Sequence, residues 1–350
     1  MQRRDLLKCL CAAAVPLPAW ASETPAPAAD HHQHLFSPAM ARLLDTGSGG
    51  GPPVIGANDL VPLLDSAGIR RAVLLSAGYV YGSPVRKIDD EYTKVRAEND
   101  WNGAQAAQFP DRLRAFGSVN PLKDYALEEI ARCAAAPHLR HGLKLHFGNS
   151  DVQLELPEHA QRLKEVFAAA NRNGMAIVVH LRASLSKHRP FGAVQARVFL
   201  DELLPAAPDV VVQVAHMAGS GPGYDDPPAD DALSVLAEAV ARHDRRTRRL
   251  YFDVASLARP GMKPHDAANL VQRIRQIGID RILYGSDAAS GRNLRPREGW
   301  AAFRQLPLSE AELAGIAQNL APYLRPASTG AGRRNPRRAV TARSLPPRGE

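Results

Sequence analysis

Cysteine is nearly absent from the chain: among 350 residues there are three, Cys9, Cys11 and Cys133. The first two lie in an amino-terminal segment that reads as removable. One thiol then remains, which excludes an intramolecular disulfide in the mature chain. Long apolar runs are also missing. The apolar stretch at roughly 9–20 is too short to span a bilayer comfortably. No glycine-rich phosphate fingerprint is present either. Gly47-Ser48-Gly49-Gly50-Gly51 runs straight into Pro52-Pro53, so it reads as a flexible loop and not as a G-x-G-x-x-G turn opening a helix. No internal repeat is evident.

Net charge is scarce in the body of the chain. Of the net +8, residues 1–21 hold +2 and residues 326–350 hold +5, leaving +1 for 22–325. The basicity therefore reports the ends, and without a recognised nucleic-acid module no nucleic-acid partner is expected. Gln2-Arg3-Arg4-Asp5-Leu6-Leu7-Lys8 resembles a twin-arginine export signal. Ala19-Trp20-Ala21 offers small residues for cleavage before Ser22. Lys8 and Leu10, which precede the two early cysteines, are not the small residue that lipidation uses. The expected organisation is an export signal over 1–21, a linker over 22–29, one domain over 30–325 and a disordered basic tail over 326–350. Such a protein is periplasmic or secreted, with no stable membrane insertion once the signal is removed.

Between these ends, short apolar or β-branched runs alternate with amphipathic helical patterns. The strands are expected at 30–36, 71–77, 113–119, 141–147, 175–181, 210–216, 250–255 and 281–286. Helices such as 127–135, 158–171, 193–204, 233–243 and 265–277 separate them, and a last one at 309–324 opens on the capping box Ser309-Glu310-Ala311-Glu312. Eight βα units predict an α/β fold, a single-domain (β/α)8 TIM barrel with its site at the carboxyl ends of the strands.

Polar groups stand where that site belongs. Side chains two apart on a strand share a face, so in Asp30-His31-His32-Gln33-His34 the expectation is that His32 and His34 point inward and His31 and Gln33 outward. Two adjacent inward imidazoles can grip a divalent cation. His180 ends the fifth strand, His216 the sixth, and Asp287 follows the eighth, each at the end of an otherwise apolar run.

This set resembles the amidohydrolase superfamily, and within it the amidohydrolase-related branch of metal-dependent hydrolases and decarboxylases. Asn99, Phe109-Pro110-Asp111-Arg112, Val119-Asn120-Pro121 and Asn319-Leu320-Ala321-Pro322 carry the same resemblance, which spans roughly 30–324. It implies that His32, His34, His180 and Asp287 hold one divalent ion, with zinc the expected metal. Such an ion lowers the pKa of water toward ~7 and polarises a carbonyl. Asp287 then shuttles the proton of that water to the leaving group. His216 polarises the carbonyl or positions the water without binding a lone metal.

Several readings stay open. Lys144, if carboxylated, bridges a second metal held by His180 and His216; otherwise it contacts a substrate carboxylate or forms an internal ion pair. His146 contacts substrate or metal, or is a solvated loop residue. Arg182, on the face of His180, is placed to clamp a carboxylate. Tyr79 and Tyr81 line the pocket or belong to a loop. Asp253 orients a ligand's second nitrogen or is structural. The function expected is cleavage of an amide, ester or lactone bond in a small organic acid. The alternatives are non-oxidative decarboxylation on the same scaffold and, further off, a non-catalytic periplasmic binding protein. Barrels of this branch often pair, so a homodimer is also among the expectations.

Overall fold

The computed structural model describes residues 25–45, 56–288, 293 and 295–325. The expected export signal and basic tail, and the Gly47–Gly51 cluster, lie outside the described residues. Eight parallel strands run in sequence order: β1 (Asp30–Gln33), β2 (Ala72–Leu75), β3 (Leu113–Ser118), β4 (Gly142–His146), β5 (Ala176–His180), β6 (Val212–Val214), β7 (Leu250–Asp253) and β8 (Ile282–Leu283). Each pairs with the next. The seam is bridged where His31 N donates to Tyr284 O at 2.9 Å and Asp287 N donates to His32 O at 2.8 Å. The result is the expected (β/α)8 barrel, nearly closed.

Among the described residues twelve helices surround it: α1 (Pro38–Leu44), α2 (Ala57–Ser66), α3 (Glu91–Ala107), α4 (Ala126–Ala135), α5 (Phe147–Ser150), α6 (Pro157–Arg172), α7 (Ala193–Val198), α8 (Leu204–Ala206), α9 (Pro227–Ala241), α10 (Pro264–Ile277), α11 (Pro296–Phe303) and α12 (Glu310–Gln318). In α6, Pro157 takes the first-turn position where no N–H is required. Its Leu163, Val166, Phe167 and Ala170 form the apolar stripe turned to the sheet. The helix expected over 193–204 is interrupted by a wide turn at Phe199–Leu203. Pro205, separated from it by Leu204 alone, lacks the N–H that would close a regular turn there. The final helix keeps its capping box, with Ser309 Oγ accepting from Glu312 N and Glu312 Oε2 accepting from Ser309 N. It stops at Gln318, short of the expected 324. Asn319 leaves the helix to donate to Ile279 O and Ile282 O at 2.6 and 2.7 Å.

Strand alternation sorts the core. Leu74, Leu143, Ile177, Val179, Val212, Val214 and Phe252 face the helices. Val73, Phe116, Val178 and Val211 fill the barrel interior, which Leu320, Tyr323 and Leu324 close from the amino-terminal side of the strands. Ala29 is buried in this plug and Ala28 N donates to Ala317 O, so the end of the segment expected as a linker, at Ala28 and Ala29, is built into the barrel floor. Packing there leaves no slack. A Cβ on Gly142 would lie 2.2–2.4 Å from the Phe116 ring, a side chain fully buried on the neighbouring strand. Gly142→Ala is expected to cost roughly 1–3 kcal/mol of stability. A lowered urea midpoint at unchanged m-value is the measurement that checks it.

Strand β1 departs from strict alternation. Its pairing with β2 shifts register between Asp30 and Gln33, a bulge that spends one extra residue. His31, expected outward, instead meets the plug, taking a hydrogen bond from Ala321 N at 3.1 Å and an edge contact from Tyr323. Gln33 donates to Asp30 and Ser286. Asp30 ties this corner together by also accepting from His32 N, Ser286 N and Ser286 Oγ. Its burial pushes the carboxyl up to about 6.

Candidate metal centre

Above the apolar plug the interior turns polar. Gln213, Lys144 and Asp253 occupy inward positions of β6, β4 and β7, and all three are buried. Asp253 is the hub. It accepts from His32 Nδ1 at 3.0 Å and Gln213 Nε2 at 2.7 Å through one oxygen, and from His216 N at 2.9 Å and Ala255 N at 3.2 Å through the other. Burial alone would push this carboxyl up; the His32 imidazole and these hydrogen bonds outweigh it and hold Asp253 well below the usual range.

The same logic fixes three histidine tautomers. A carboxylate or carbonyl oxygen only accepts, so a ring nitrogen facing one must carry the proton. His32 Nδ1 faces Asp253, His34 Nδ1 faces Leu75 O at 2.7 Å, and His216 Nδ1 faces Ala255 O at 2.8 Å. In each ring Nε2 is left to present a lone pair, as metal-ligating histidines do. Burial, followed by neighbouring charges, pushes His34 and His216 down, keeping the rings neutral and competent as ligands.

Asp287 Oδ1 lies 4.0 Å from His32 Nε2 and 3.8 Å from His34 Nε2. Asn293 Nδ2 donates to the other carboxylate oxygen at 2.7 Å. His32, His216 and Asp287 form the tightest group, one ligand atom of each lying within 4.8 Å of the others. His216 thus stands as near the centre as the residues expected to bind. His180 joins at the edge, its ring 5.4 Å from that of His216 and stacked 3.9 Å from that of His146. His180 Nδ1 is buried with no hydrogen-bond partner among the described residues, an arrangement that a bound cation would satisfy. Together the imidazoles, the carboxylate and this orphaned nitrogen fit a divalent ion.

Backbone strain concentrates at this end of the barrel. His216, Met217, Ser256 and Asp287 adopt φ between 46° and 56° without being glycine. Each costs about 1–3 kcal/mol and persists because the surrounding hydrogen bonds over-determine it. His216 was expected to end a strand over 210–216; β6 stops at Val214, and the left-handed turn swings the ring toward His32, at 4.7 Å between centroids. Gly285 is required by close approach, since a Cβ there would lie 2.8 Å from that of His32.

The remaining candidates find definite places. Lys144 Nζ sits 3.3 Å from His32 Nε2, and burial pushes its ammonium down to about 8 while Asp253 and Asp287 pull the other way. His146 ends β4, accepts from Asn149 N through Nδ1, and meets Tyr79 at 5.0 Å. Tyr79 and Tyr81 are both buried in the apolar cluster beside the mouth. Arg182 does clamp a carboxylate through two nitrogens, at 2.7 and 3.2 Å, but that carboxylate is the chain's own Asp226. The guanidinium also lies over the Phe191 ring. Sequence reasoning missed Gln213, Asn293 and Asp226. A glutamine inside the apolar run Val211–Val214 is a readable signal; the two loop residues offered none.

Asn99, Asn120 and Asn319, which carried part of the family resemblance, are braces. Asn99 donates to Ser118 O and Glu129 and accepts from Ser118 N; Asn120 donates to Gly82 O.

A nearly closed barrel with buried histidines and an aspartate at the carboxyl ends of its strands defines a metal-dependent enzyme scaffold. The family model described as amidohydrolase matches residues 29–319, and the chain belongs to that family. No curated protein matches the chain in sequence. Solved structures with the same fold include 2,6-dihydroxybenzoate decarboxylase from Rhizobium, at 18% identity and a TM-score of 0.58, covering 84% of this chain and 97% of that one. Another is 5-carboxyvanillate decarboxylase from Novosphingobium aromaticivorans complexed with manganese and a nitrobenzoic acid, at 15% identity, TM-score 0.55 and coverages of 85% and 95%. A third is an amidohydrolase from Burkholderia multivorans with bound zinc, at 15% identity, TM-score 0.55 and coverages of 83% and 96%. Family and cluster together support an enzyme of the amidohydrolase superfamily that uses a divalent metal.

The hub role of Asp253 is testable. Asp253→Asn removes the anionic partner of His32 Nδ1, and metal affinity is expected to fall 10–100-fold, the range found for such outer partners, roughly. Competition with a chelator of known affinity measures it.

Proposed function

We propose that the protein is a hydrolase that cleaves an amide, ester or lactone bond in a small organic acid. His32, His34, His180 and Asp287 would hold one divalent ion, and zinc suits a donor set of imidazoles and a carboxylate. When bound, the ion supplies Lewis acidity and a more acidic water. The observation that carries the reading is Asp287. Its Oδ1 stands beside two imidazole Nε2 atoms while Asn293 steadies Oδ2. A carboxylate so placed takes a proton from the attacking water and returns it to the leaving group. His216, neutral and with Nδ1 tied to Ala255 O, presents Nε2 to the same space and positions the water or the carbonyl. Two ions with a carboxylated Lys144 bridge are the variant of this reading that Lys144, so close to His32, leaves open. The twin-arginine-like start supports an exported enzyme.

Decarboxylation is the second reading, favoured by the benzoate decarboxylases among the structural neighbours. A panel of esters, lactones, amides and hydroxybenzoates, offered to zinc- and manganese-loaded protein, separates the two. Hydrolysis without carbon dioxide is the expected result. Carbon dioxide released in step with substrate loss would establish the second reading, and no turnover in either class would remove both.

A further inference from the structure

Summed over 22–325 the body of the chain is nearly neutral, but the structure shows that its charge is not evenly spread. All strands run the same way, so the segments leading into them share one face, opposite the candidate metal centre. Those segments (67–71, 108–112, 136–141, 173–175, 207–211, 242–249 and 278–281), with the closing 319–325, contain eleven arginines and four aspartates. The segments that follow the strands, around the mouth, are close to balanced. Arg70, Arg140, Arg242, Arg245, Arg246, Arg248, Arg249 and Arg325 on the basic face are exposed.

Two hollows shape this face. One, of about 450 Å³, is lined by Arg70, Arg71, Arg112 and Arg114 and a single acid, Asp111, beside Leu113 and Leu324. The other, of about 240 Å³, is lined by Arg245, Arg246, Arg248 and Arg249 beside Val210 and Leu250. They lie at β2–β3 and β6–β7, across the ring of eight strands from each other. Local acids engage some of these guanidinium groups, as Asp65 does Arg112 and Asp244 does Arg246, yet the excess of cations remains.

We propose that this arginine-rich face docks the protein peripherally on an anionic phospholipid surface, with the candidate metal centre facing away. Guanidinium forks match phosphate oxygens in pairs. Hollows on opposite sides of the ring call for an extended partner, since one small anion reaches only one of them. Among the described residues neither hollow is lined by an aromatic side chain on which nucleic-acid bases would stack. Residues 326–350 do not offset this charge. Beyond Arg325 the sequence adds six arginines and one glutamate, which reinforces the same sign. Among the described residues no helix is long and apolar enough to cross a membrane, so the contact is with headgroups.

The test is co-sedimentation of the full chain with vesicles of phosphatidylcholine alone and of phosphatidylcholine mixed with phosphatidylglycerol. The neutral vesicles report any contribution of the apolar amino-terminal stretch. Binding to the anionic vesicles is expected to exceed that to neutral ones by about tenfold or more at low salt. The excess should vanish near about 1 M salt, where screening acts within ~3 Å. Reversing Arg70, Arg140, Arg245 and Arg249 together to glutamate should remove most of the excess at an unchanged melting temperature. Reversing Lys87 and Lys263 on the mouth side should leave it. Equal binding to both vesicle types overturns the proposal. So does an excess that survives the four reversals, or tighter binding to duplex DNA than to anionic vesicles at the same salt.

Discussion

Asp287→Asn is expected to lower kcat by about two to four orders of magnitude, the span that positioned acid–base groups supply. The amide keeps the shape of the side chain and can still accept from Asn293, whose Nδ2 also donates to the backbone O of residue 287. What it loses is the capacity to take a proton, together with the negative charge beside His32 and His34. The fold should therefore survive, and the defect should appear in kcat more than in KM. Steady-state kinetics on the substrate found in the panel, with metal content measured on the same sample, checks this. A variant that holds its metal and turns over at the native rate would show that Asp287 is not the proton carrier.

Replacing His180 by alanine is expected to remove metal and activity together. Its Nδ1 has no hydrogen-bond partner among the described residues to lose, and the ring ends β5 stacked on His146. The apolar layer between sheet and helices is untouched, so unfolding by urea should change little. Full metal content and full turnover in this variant would show that His180 is not a ligand of the ion.

Much of the fold was legible because parallel strands buried on both sides write themselves as apolar runs, and the helices between them carry a clear stripe. The site was legible for a related reason. His180 and Asp287 are polar groups at the ends of runs such as Ala176–Val179 and Ile282–Tyr284, where packing alone would favour another aliphatic. What escaped the sequence was whatever depends on meeting across space. The bulge in β1 turns His31 toward Ala321, some 290 positions away. Arg182 shares a face with His180 as alternation demands, but which carboxylate fills its fork was decided by Asp226 in the next connection. Asp253 was visible as a partner for a histidine; that its second oxygen also holds the backbone of His216 was not. The near-zero charge of the body concealed its segregation, since a sum over sequence carries no direction.

The most direct measurement is an anomalous-difference map of crystals grown with zinc or manganese and collected at that metal's edge. A single peak about 2.0–2.2 Å from nitrogen or oxygen atoms of His32, His34, His180 and Asp287 is the predicted result. A map without a peak at the carboxyl ends of the strands, or with one on other side chains, would contradict it.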